Sequence, residues 1–400
     1  MYDFLKGVTI VEGSAFVAGP TCALHFAQMG AKVIRFDQIG GGPDARRWPL
    51  GPDDESLYWE GLNKGKRSIA IDFKKPAGRE LAQRLATGGS GLFVTNFPVD
   101  GFLSHDVLSA LREDQITLRV MGWADGTPAV DYTVNAATGL PYMTGPSDDD
   151  RPVNHVLPAW DLLTGAYGAF TLLAAERDRA ASGRGREIRL ALSDIAAASL
   201  ANLGFLAEAM LGDADRGRSG NNLYGAFGRD FTAKGGERFM IVAITPRQWS
   251  GMLSGLEIGE DVAALEADLG IDFGQDEGAR YTHRNQLDPL IEKAFARFEA
   301  ADLETRFAKA GVTWSRYRSL HQALSQEPRL FADNPIFSET AHPGGATYPA
   351  PGAAARIPQD ERRQPEPAPK IGQHTDEVLA DFLNLDSSEI ARLHDQGVVK

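Results

Sequence analysis

The segment GVTIVEGSAFVAGPTCALHFAQMGAKVIRFD (7–37) decides the predicted fold. It opens as an apolar strand that ends in a glycine-containing turn. GPTCALHFAQMGA (19–31) is then predicted as a short helix, because proline lies near its start and glycine near its end. KVIRFD (32–37) is the next strand. A strand, a helix and a strand in this order predict a parallel, right-handed βαβ unit.

The same alternation continues along the chain. The segments that carry it are SIAIDF (68–73), PAGRELAQRLA (76–86), GLFVTNF (91–97), DVLSALRED (106–114) and ITLRVMGW (116–123). Strands and helices that alternate in this way predict an α/β fold with a doubly wound, Rossmann-like sheet.

The chain has 400 residues, which predicts more than one domain. We expect a large Rossmann-like domain in residues 1–212 and a smaller α/β domain, with its linkers, in 213–325. A C-terminal segment, 326–400, follows. Residues 213–236 are rich in Gly, Asp, Arg and Asn and are predicted as a linker or loop.

The formal net charge of −13 argues against nucleic acid or an anionic membrane surface as the main partner. Cys22 is the single cysteine, so no internal disulfide forms, which fits a reducing compartment. The sequence has no signal-peptide pattern and no apolar run of about 18 residues that would predict a membrane helix. We therefore expect a cytoplasmic protein.

The turn EGSAFVAGP (12–20) bears on a dinucleotide-cofactor hypothesis, which Asp37 at the end of the second strand supports. The turn lacks the G-x-G-x-x-G pattern that lets a pyrophosphate approach the helix start. Phe16 and Val17 have bulky side chains at positions where a pyrophosphate would need to approach the backbone closely. The dinucleotide-cofactor hypothesis therefore ranks low.

A basic cluster and a lone acid are the other candidates. Lys64, Lys66 and Arg67 form either a solvated turn or a phosphate clamp. Asp161, in PAWDLLTGAY (158–167), precedes an apolar helix and is either its N-cap or a nucleophile toward an activated acyl group. The helix start should lower the pKa of Asp161. The residues alone leave these alternatives open.

Several segments together resemble the class III CoA-transferases, a family that also includes α-methylacyl-CoA racemase. They are residues 12–42, NKGKRSIAIDFKKPAGRELAQRLA (63–86), FVTNFP (93–98), GRGREIRLALSD (183–194) and GQHTDEVL (372–379). DYTVN (131–135), VNHVLPAWD (153–161) and NLYGAFGRDF (222–231) further resemble a subgroup that moves CoA between the two carboxylates of one mesaconate. The resemblance runs nearly from end to end.

The resemblance implies that Asp161 attacks the acyl thioester and forms an anhydride and then an aspartyl-CoA thioester. CoA enters as the thioester substrate, with no tightly bound cofactor and no metal. The implied CoA-binding residues are Arg35, Lys64, Lys66, Arg67, Asn96, Phe97 and Tyr132. The implied substrate residues are Phe16, Val17, Arg47, His155, Tyr224, Gly225 and Arg229. Arg47, His155 and Arg229 are the candidate partners of the free carboxylate.

The resemblance also implies an interlocked homodimer, in which the C-terminal segment returns to the N-terminal sheet. The expected partners are an acyl-CoA and a small dicarboxylate. Two alternatives remain: an intermolecular CoA-transferase that uses the same Asp161, and a non-catalytic CoA-binding protein in which Asp161 only caps its helix.

Overall fold

A computed structural model describes residues 1–400. The strands are β1 (Thr9–Gly13), β2 (Lys32–Gln38), β3 (Arg67–Ile71), β4 (Leu92–Thr95), β5 (Ile116–Met121), β6 (Arg186–Ala191), β7 (Phe227–Thr232), β8 (Arg238–Ala243), β9 (Thr313–Arg316), β10 (Phe337–Ala341) and β11 (Thr347–Pro351). A 3₁₀ turn spans Pro43–Arg46, and a π-helical turn spans Val378–Phe382.

The helices follow the same chain order. They are α1 (Ala18–Gln28), α2 (Leu57–Leu62), α3 (Pro76–Thr87), α4 (His105–Leu111), α5 (Asp131–Ala137), α6 (Leu140–Met143), α7 (Ala159–Ser182), α8 (Leu192–Asn202), α9 (Phe205–Leu211), α10 (Pro246–Leu256), α11 (Gly259–Leu269), α12 (Glu277–Thr282), α13 (Arg284–Phe295), α14 (Ala300–Ala310), α15 (Leu320–Gln326), α16 (Thr375–Glu377) and α17 (Ser387–Asp395). No single helix is long and apolar enough to cross a membrane, and only the bent pair α8 and α9 meets that length and composition together.

Six parallel strands form the large sheet in the order β3-β2-β1-β4-β5-β6. This order confirms the predicted doubly wound α/β fold. The order in which successive strands are added to the sheet reverses between β1 and β4, where Gly13 lies opposite Thr95. Ligands of such sheets bind beyond the carboxyl ends of the strands at this switch point. The turn from β1 to α1 lies there.

Helices cover both faces of the sheet. On one face α1 and α7 contribute Cys22, Phe26 and Leu172 to the apolar core, so Cys22 is buried, as the sequence indicates. On the other face α3 and α4 pack with the C-terminal residues. Leu85 of α3 and Val378 near the C-terminus both belong to this core. This three-layer arrangement places α1 and α7 side by side.

The chain divides into two compact units. The first comprises Met1–Thr138, His155–Leu211 and Asp333–Lys400, and the second comprises Gly139–Asn154 and Gly212–Ala332. The expected boundaries differ from this division because 139–154 and 326–332 lie in the second unit. A short inserted segment leaves no composition signal, so the sequence could not indicate it.

In the first unit the C-terminal residues lie against β3. Val399 forms an antiparallel bridge with Ile71, and the backbone N–H of Asp72 donates to the Val398 carbonyl at 2.8 Å. The first unit also contains the antiparallel hairpin of β10 and β11.

In the second unit β7, β8 and β9 form an antiparallel sheet. Its core contains Phe239, Trp249 and Phe295. The prediction of a loop over 213–236 is wrong for Phe227–Thr232, which is β7. One glycine and two charged residues obscure the apolar alternation of this strand.

Candidate active site

Asp161 is the third residue of α7, which begins at Ala159. The N-cap position belongs to Pro158, so the interpretation of Asp161 as the cap is wrong. Gly165 lets α7 approach α1 closely, since a Cβ atom there would lie 2.9 Å from the Ala18 carbonyl oxygen. The packing places the Asp161 carboxylate beside the start of α1, where the Ala18 backbone favours its ionised form.

The start of α7 is capped instead by Asp131, the first residue of α5. Its Oδ2 accepts the backbone N–H groups of Trp160 at 2.7 Å and Asp161 at 3.0 Å. Its Oδ1 hydrogen bonds with Nε2 of His155. Asp131 is buried, and it satisfies two N–H groups that every helix start leaves unpaired. The carboxylate of Asp161 is therefore not needed for capping.

Burial and the neighbouring Asp131 raise the pKa of Asp161 from 3.8 to about 6, against the opposing effects of Arg47 and the Ala18 backbone. The expectation that the helix start lowers this pKa is wrong, because burial and a like charge outweigh the helix dipole. Asp161 is still mostly ionised at neutral pH, and the ionised carboxylate is the form that attacks an acyl group.

The turn before α1 holds an unusual backbone conformation. Phe16 has a φ of 71°, in the left-handed region that favours glycine. Its N–H donates to both carboxylate oxygens of the buried Asp44, at 3.0 and 2.9 Å. Val17 follows and is buried, whereas the Phe16 ring is partly exposed. Strained residues of this kind cluster at functional sites.

Arg47 lies near Asp161 and favours its ionised form. The Arg47 guanidinium faces two rings, Phe16 at 5.4 Å and Tyr58 at 5.0 Å between its Cζ atom and the ring centroids. The Tyr58 hydroxyl is buried without a hydrogen-bond partner. Burial, Asp44 and Asp161 all raise the pKa of Tyr58, so its hydroxyl remains a donor. A cation and an unpaired donor thus lie around the candidate nucleophile.

Asn96 follows β4 and fixes the same turn from the other side. Its Oδ1 accepts the Ala15 N–H at 3.2 Å, and its Nδ2 donates to the Ala15 carbonyl at 3.0 Å. Phe97 packs its ring against Phe36 and Phe73, in the partly buried aromatic group beside the sheet. Both residues lie at the carboxyl edge of the sheet, and their contacts with pantetheine stay predictions.

A sequence model of CoA-transferase family III matches residues 5–375. The chain belongs to this family. It is 46% identical over 403 residues to a 2-methylfumaryl-CoA isomerase of Chloroflexus aurantiacus, covering 100% of this chain and 98% of that protein. It is 27% identical to a succinyl-CoA:glutarate CoA-transferase of Mus musculus, covering 99% of this chain and 90% of that protein.

Solved structures share the fold. The crystal structure of a CAIB/BAIF family protein from Brucella suis matches with a TM-score of 0.75 at 24% identity, covering 94% of this chain and 98% of that chain. The resemblance that the sequence motifs indicated is therefore confirmed, and the chain is an enzyme of the CoA-transferase class.

The basic cluster of this CoA-transferase points into the protein. Lys66 is fully buried, and its ammonium group binds Glu12 Oε2 at 2.7 Å. Lys64 is also buried, which lowers its pKa to about 8. Arg67 pairs with Glu366 at 2.9 Å at the first residue of β3, away from the carboxyl edge. Neither ammonium group of Lys64 and Lys66 is exposed here, so the phosphate-clamp role of these two lysines stays a prediction that their burial does not favour.

Arg35 is likewise a structural residue. Its guanidinium is 1% exposed and lies 2.8 Å from Glu12, 2.8 Å from Asp37 and 3.4 Å from Asp44. Three carboxylates already bind this buried guanidinium. The CoA-binding role of Arg35 stays a prediction, which this pairing does not favour.

Two further predicted residues lie close to Asp131. The Tyr132 hydroxyl donates to the Val156 carbonyl at 3.2 Å, and the Tyr132 ring meets the His155 ring edge-on at 5.7 Å. His155 is held by Asp131, which makes it part of the cap of α7. Their contacts with substrate stay predictions.

The remaining predicted residues belong to the second unit. Tyr224 packs its ring against Tyr281, and Gly225 has a φ of 77°. Arg229 forms ion pairs with Asp288 and Glu292. Because two carboxylates already bind Arg229, it is a weaker candidate for a substrate carboxylate than its sequence position indicates.

The sequence analysis missed three residues of this site: Asp44, Tyr58 and Asp131. The only local signal for Asp131 was its own position in the first turn of the DYTVN helix, which is typical of any helix start. Asp44 and Tyr58 lie in the segment after β2, where glycine and charge predict only a loop. Their roles depend on contacts across the fold, which no local pattern reports.

Proposed function

We propose that this enzyme moves CoA within one substrate molecule, from C1 to C4 of mesaconate, and so converts 2-methylfumaryl-CoA to 3-methylfumaryl-CoA. The observation that carries the proposal is the Asp161 carboxylate, freed from capping, with a pKa of about 6 and beside Arg47. The 46% identity to a 2-methylfumaryl-CoA isomerase over the whole chain supports this substrate.

The reaction begins when an ionised Asp161 oxygen attacks the C1 thioester carbonyl. The C–S bond breaks and leaves a mixed anhydride and a CoA thiolate. The thiolate attacks the aspartyl carbonyl of the anhydride, which releases the mesaconate carboxylate and leaves an aspartyl-CoA thioester. No proton is gained or lost in either step. An anhydride hydrolyses readily, so the site must exclude water while it exists.

The second half repeats these steps in reverse at the other end of the acid. The C4 carboxylate attacks the aspartyl thioester, which gives a new anhydride and the thiolate. The thiolate then attacks the C4 acyl carbonyl, and the Asp161 carboxylate leaves. Mesaconate must turn end for end in the site between the halves, so whichever carboxylate is idle needs a partner.

Arg47 is the cation that fits this partner best among the three candidates. Its guanidinium faces aromatic rings, whereas His155 is bonded to Asp131 and Arg229 to two carboxylates. A guanidinium binds a carboxylate with paired hydrogen bonds. The flat rings on either side of Arg47 suit a planar unsaturated acid.

CoA should lie along the carboxyl edge of the sheet, with Asn96 near the thioester arm. Since Lys64 and Lys66 are buried, the phosphates need other cations. Lys74 lies in the turn after β3 and Arg79 in the first turn of α3, and both are exposed. They are the phosphate partners that the sheet geometry favours.

The active enzyme should be a homodimer. The first unit leaves a row of apolar side chains exposed on α7, where Leu163, Tyr167 and Phe170 follow each other at helical spacing. Leu203 and Leu211, at the ends of α8 and α9, are also exposed. A large exposed apolar surface marks an interaction site, and a second copy of this chain is the expected occupant.

An intermolecular transfer between two acids is the second candidate. Relatives such as succinyl-CoA:glutarate CoA-transferase carry that activity in their names. It needs the same Asp161 chemistry and differs only in whether mesaconate leaves between the two halves. The non-catalytic alternative loses its support, because Asp131 performs the capping that this alternative assigns to Asp161.

The deciding experiment is mass spectrometry of the enzyme incubated with 2-methylfumaryl-CoA and isotope-labelled free mesaconate. We expect the C4 thioester to form with no label in the CoA esters. Label in the CoA esters would establish intermolecular transfer. The absence of the C4 thioester, labelled or unlabelled, would refute this substrate. Asp161→Asn is the control, in which neither product should form.

A further inference from the structure

The turn from β1 to α1 contains a strained residue that the reaction steps above do not use. Phe16 adopts a φ of 71°, which residues with a Cβ atom disfavour. Such a conformation persists only where the surroundings enforce it. The turn lies directly before Ala18, which packs against Gly165 of α7 and whose backbone favours the ionised form of Asp161.

Asp44 enforces the conformation. Both of its oxygens accept the Phe16 N–H, at 3.0 and 2.9 Å, and its side chain is about as buried as a core residue. Asp44 is itself fixed by Arg35 at 3.4 Å. Arg35 is held in turn by Glu12 and Asp37, each at 2.8 Å. A chain of buried charges therefore ends on one backbone N–H group.

The turn is fixed at both of its ends. Asn96 holds the Ala15 N–H and carbonyl groups, and α1 begins at Ala18. Phe16 and Val17 lie between these points, and Asp44 holds the Phe16 N–H. If Phe16 relaxed to a right-handed conformation, the backbone that leads into α1 would change direction.

We propose that Asp44 is a positioning residue, which holds Phe16 in its left-handed conformation and thereby fixes the start of α1, which packs against α7 at Gly165, beside the Asp161 carboxylate. The inference rests on the proposed function only for the role of Asp161 as nucleophile. The buried charges of Glu12, Arg35 and Asp37 support this turn through Asp44.

Two pairs of variants, one pair with Asp44 and one pair with Asp44→Ala, test the role of Phe16. Phe16→Gly and Phe16→Ala both remove the ring, but only glycine accepts the left-handed conformation without strain. With Asp44 present, we expect the kcat/KM of the two variants to agree within about threefold. In the Asp44→Ala background, we expect Phe16→Gly to exceed Phe16→Ala by about tenfold, which corresponds to about 1.4 kcal/mol. An equal ratio in both backgrounds would overturn the proposal.

A second readout needs no substrate. Carboxyl-labelled aspartate NMR, with the Asp161 signal assigned from Asp161→Asn, follows the titration of Asp161 directly. The titratable groups around it are Asp131, Arg47 and Tyr58. We expect Asp44→Ala to raise the pKa of Asp161, because the Ala18 backbone, which favours the ionised form, is no longer held in place. Removing the negative charge of Asp44 alone would lower this pKa, so a fall or no change would overturn the proposal.

The controls separate this role from a general loss of structure. Asn384→Gly relieves a left-handed residue elsewhere in the first unit and should leave both the activity and the Asp161 titration unchanged. If Asp44→Ala does not fold, Asp44→Leu replaces it, because leucine has a similar size and cannot accept the Phe16 N–H, and the same rise in the pKa of Asp161 is expected. If the enzyme proves inactive on 2-methylfumaryl-CoA, the titration still decides the inference on its own.

Discussion

The helices α7 and α10 begin in different ways, and the difference concerns function. The cap of α10 is local: Thr245 accepts the Gln248 N–H, and Gln248 Oε1 accepts the Thr245 N–H at 2.9 Å. The cap of α7 comes from Asp131, about 30 residues earlier in the chain. Both helices satisfy first-turn N–H groups, but α10 has no carboxylate in its first turn, whereas α7 has Asp161, which its cap does not use.

The comparison shows how a residue that looks structural is released for chemistry. A local cap fixes its own side chain to the backbone and cannot react. A distant cap satisfies the same N–H groups and adds a negative charge that raises the pKa of the freed carboxylate. Four predictions test whether this division between Asp131 and Asp161 holds.

The largest effect should follow from Asp161→Asn. The side chain keeps its size and the cap of α7 stays intact, but the nucleophile is gone. We expect kcat to fall by about a thousandfold or more, with an unchanged circular dichroism spectrum. Turnover within about tenfold of the wild type would show that another group is the nucleophile.

A smaller effect on rate should follow from Asp131→Asn. The amide oxygen can still accept an N–H bond, but the like charge beside Asp161 is lost. We expect the acid limb of the kcat/KM profile to move to lower pH by about one unit, with about a tenfold loss of activity. Asp131→Ala should also destabilise the fold by about 1–3 kcal/mol, because two buried N–H groups lose their acceptor. An acid limb that stays in place would contradict the electrostatic role of Asp131.

Thr245→Ala is the matched change at the local cap. We expect a loss of about 1 kcal/mol in the free energy of unfolding, measured by urea denaturation. The pH profile of kcat/KM should not move, since no group near Asp161 changes its charge. A shifted profile would mean that the two helix starts do not differ as described.

The smallest effect is a pH-dependent gain in stability for Asp161→Asn. The pKa of Asp161 is about 6 in the folded state and 3.8 in the unfolded chain. Between these values the folded protein keeps a proton on Asp161 that the unfolded chain has lost. Ionised Asp161 therefore destabilises the wild type as the pH rises from about 4 to 6. We compare the melting temperature of the variant with that of the wild type at each pH. We expect this difference to be about 2 °C more in favour of the variant at pH 8 than at pH 4. Equal differences at both pH values would contradict the raised pKa.

The sequence predicted the parts of this enzyme that depend on local pattern. Apolar strands alternate with helices that have proline near the start, which predicts the doubly wound sheet without knowledge of the contacts. Asp161 was identified as the nucleophile because its motif resembles a known family. These signals lie within short segments of the chain.

The differences from expectation share one cause. The fold pairs Lys66 and Arg35 with Glu12, and it buries Asp161 beside Asp131, which raises the pKa of Asp161. Burial and ion pairing join residues from distant segments, so neither the charge of a side chain nor its spacing reveals them. The insertion of 139–154 into the second unit escaped prediction for the same reason.

The bridge between Val399 and Ile71 has a consequence for the order of events during synthesis. The residues that cover this side of β3 leave the ribosome more than 300 residues after β3 itself. At about 5–20 residues per second, β3 waits for about 20 to 60 s with its backbone groups uncovered. An open strand edge invites pairing with another nascent chain. Until Val399 has been translated, this edge of β3 is therefore open to pairing with another chain.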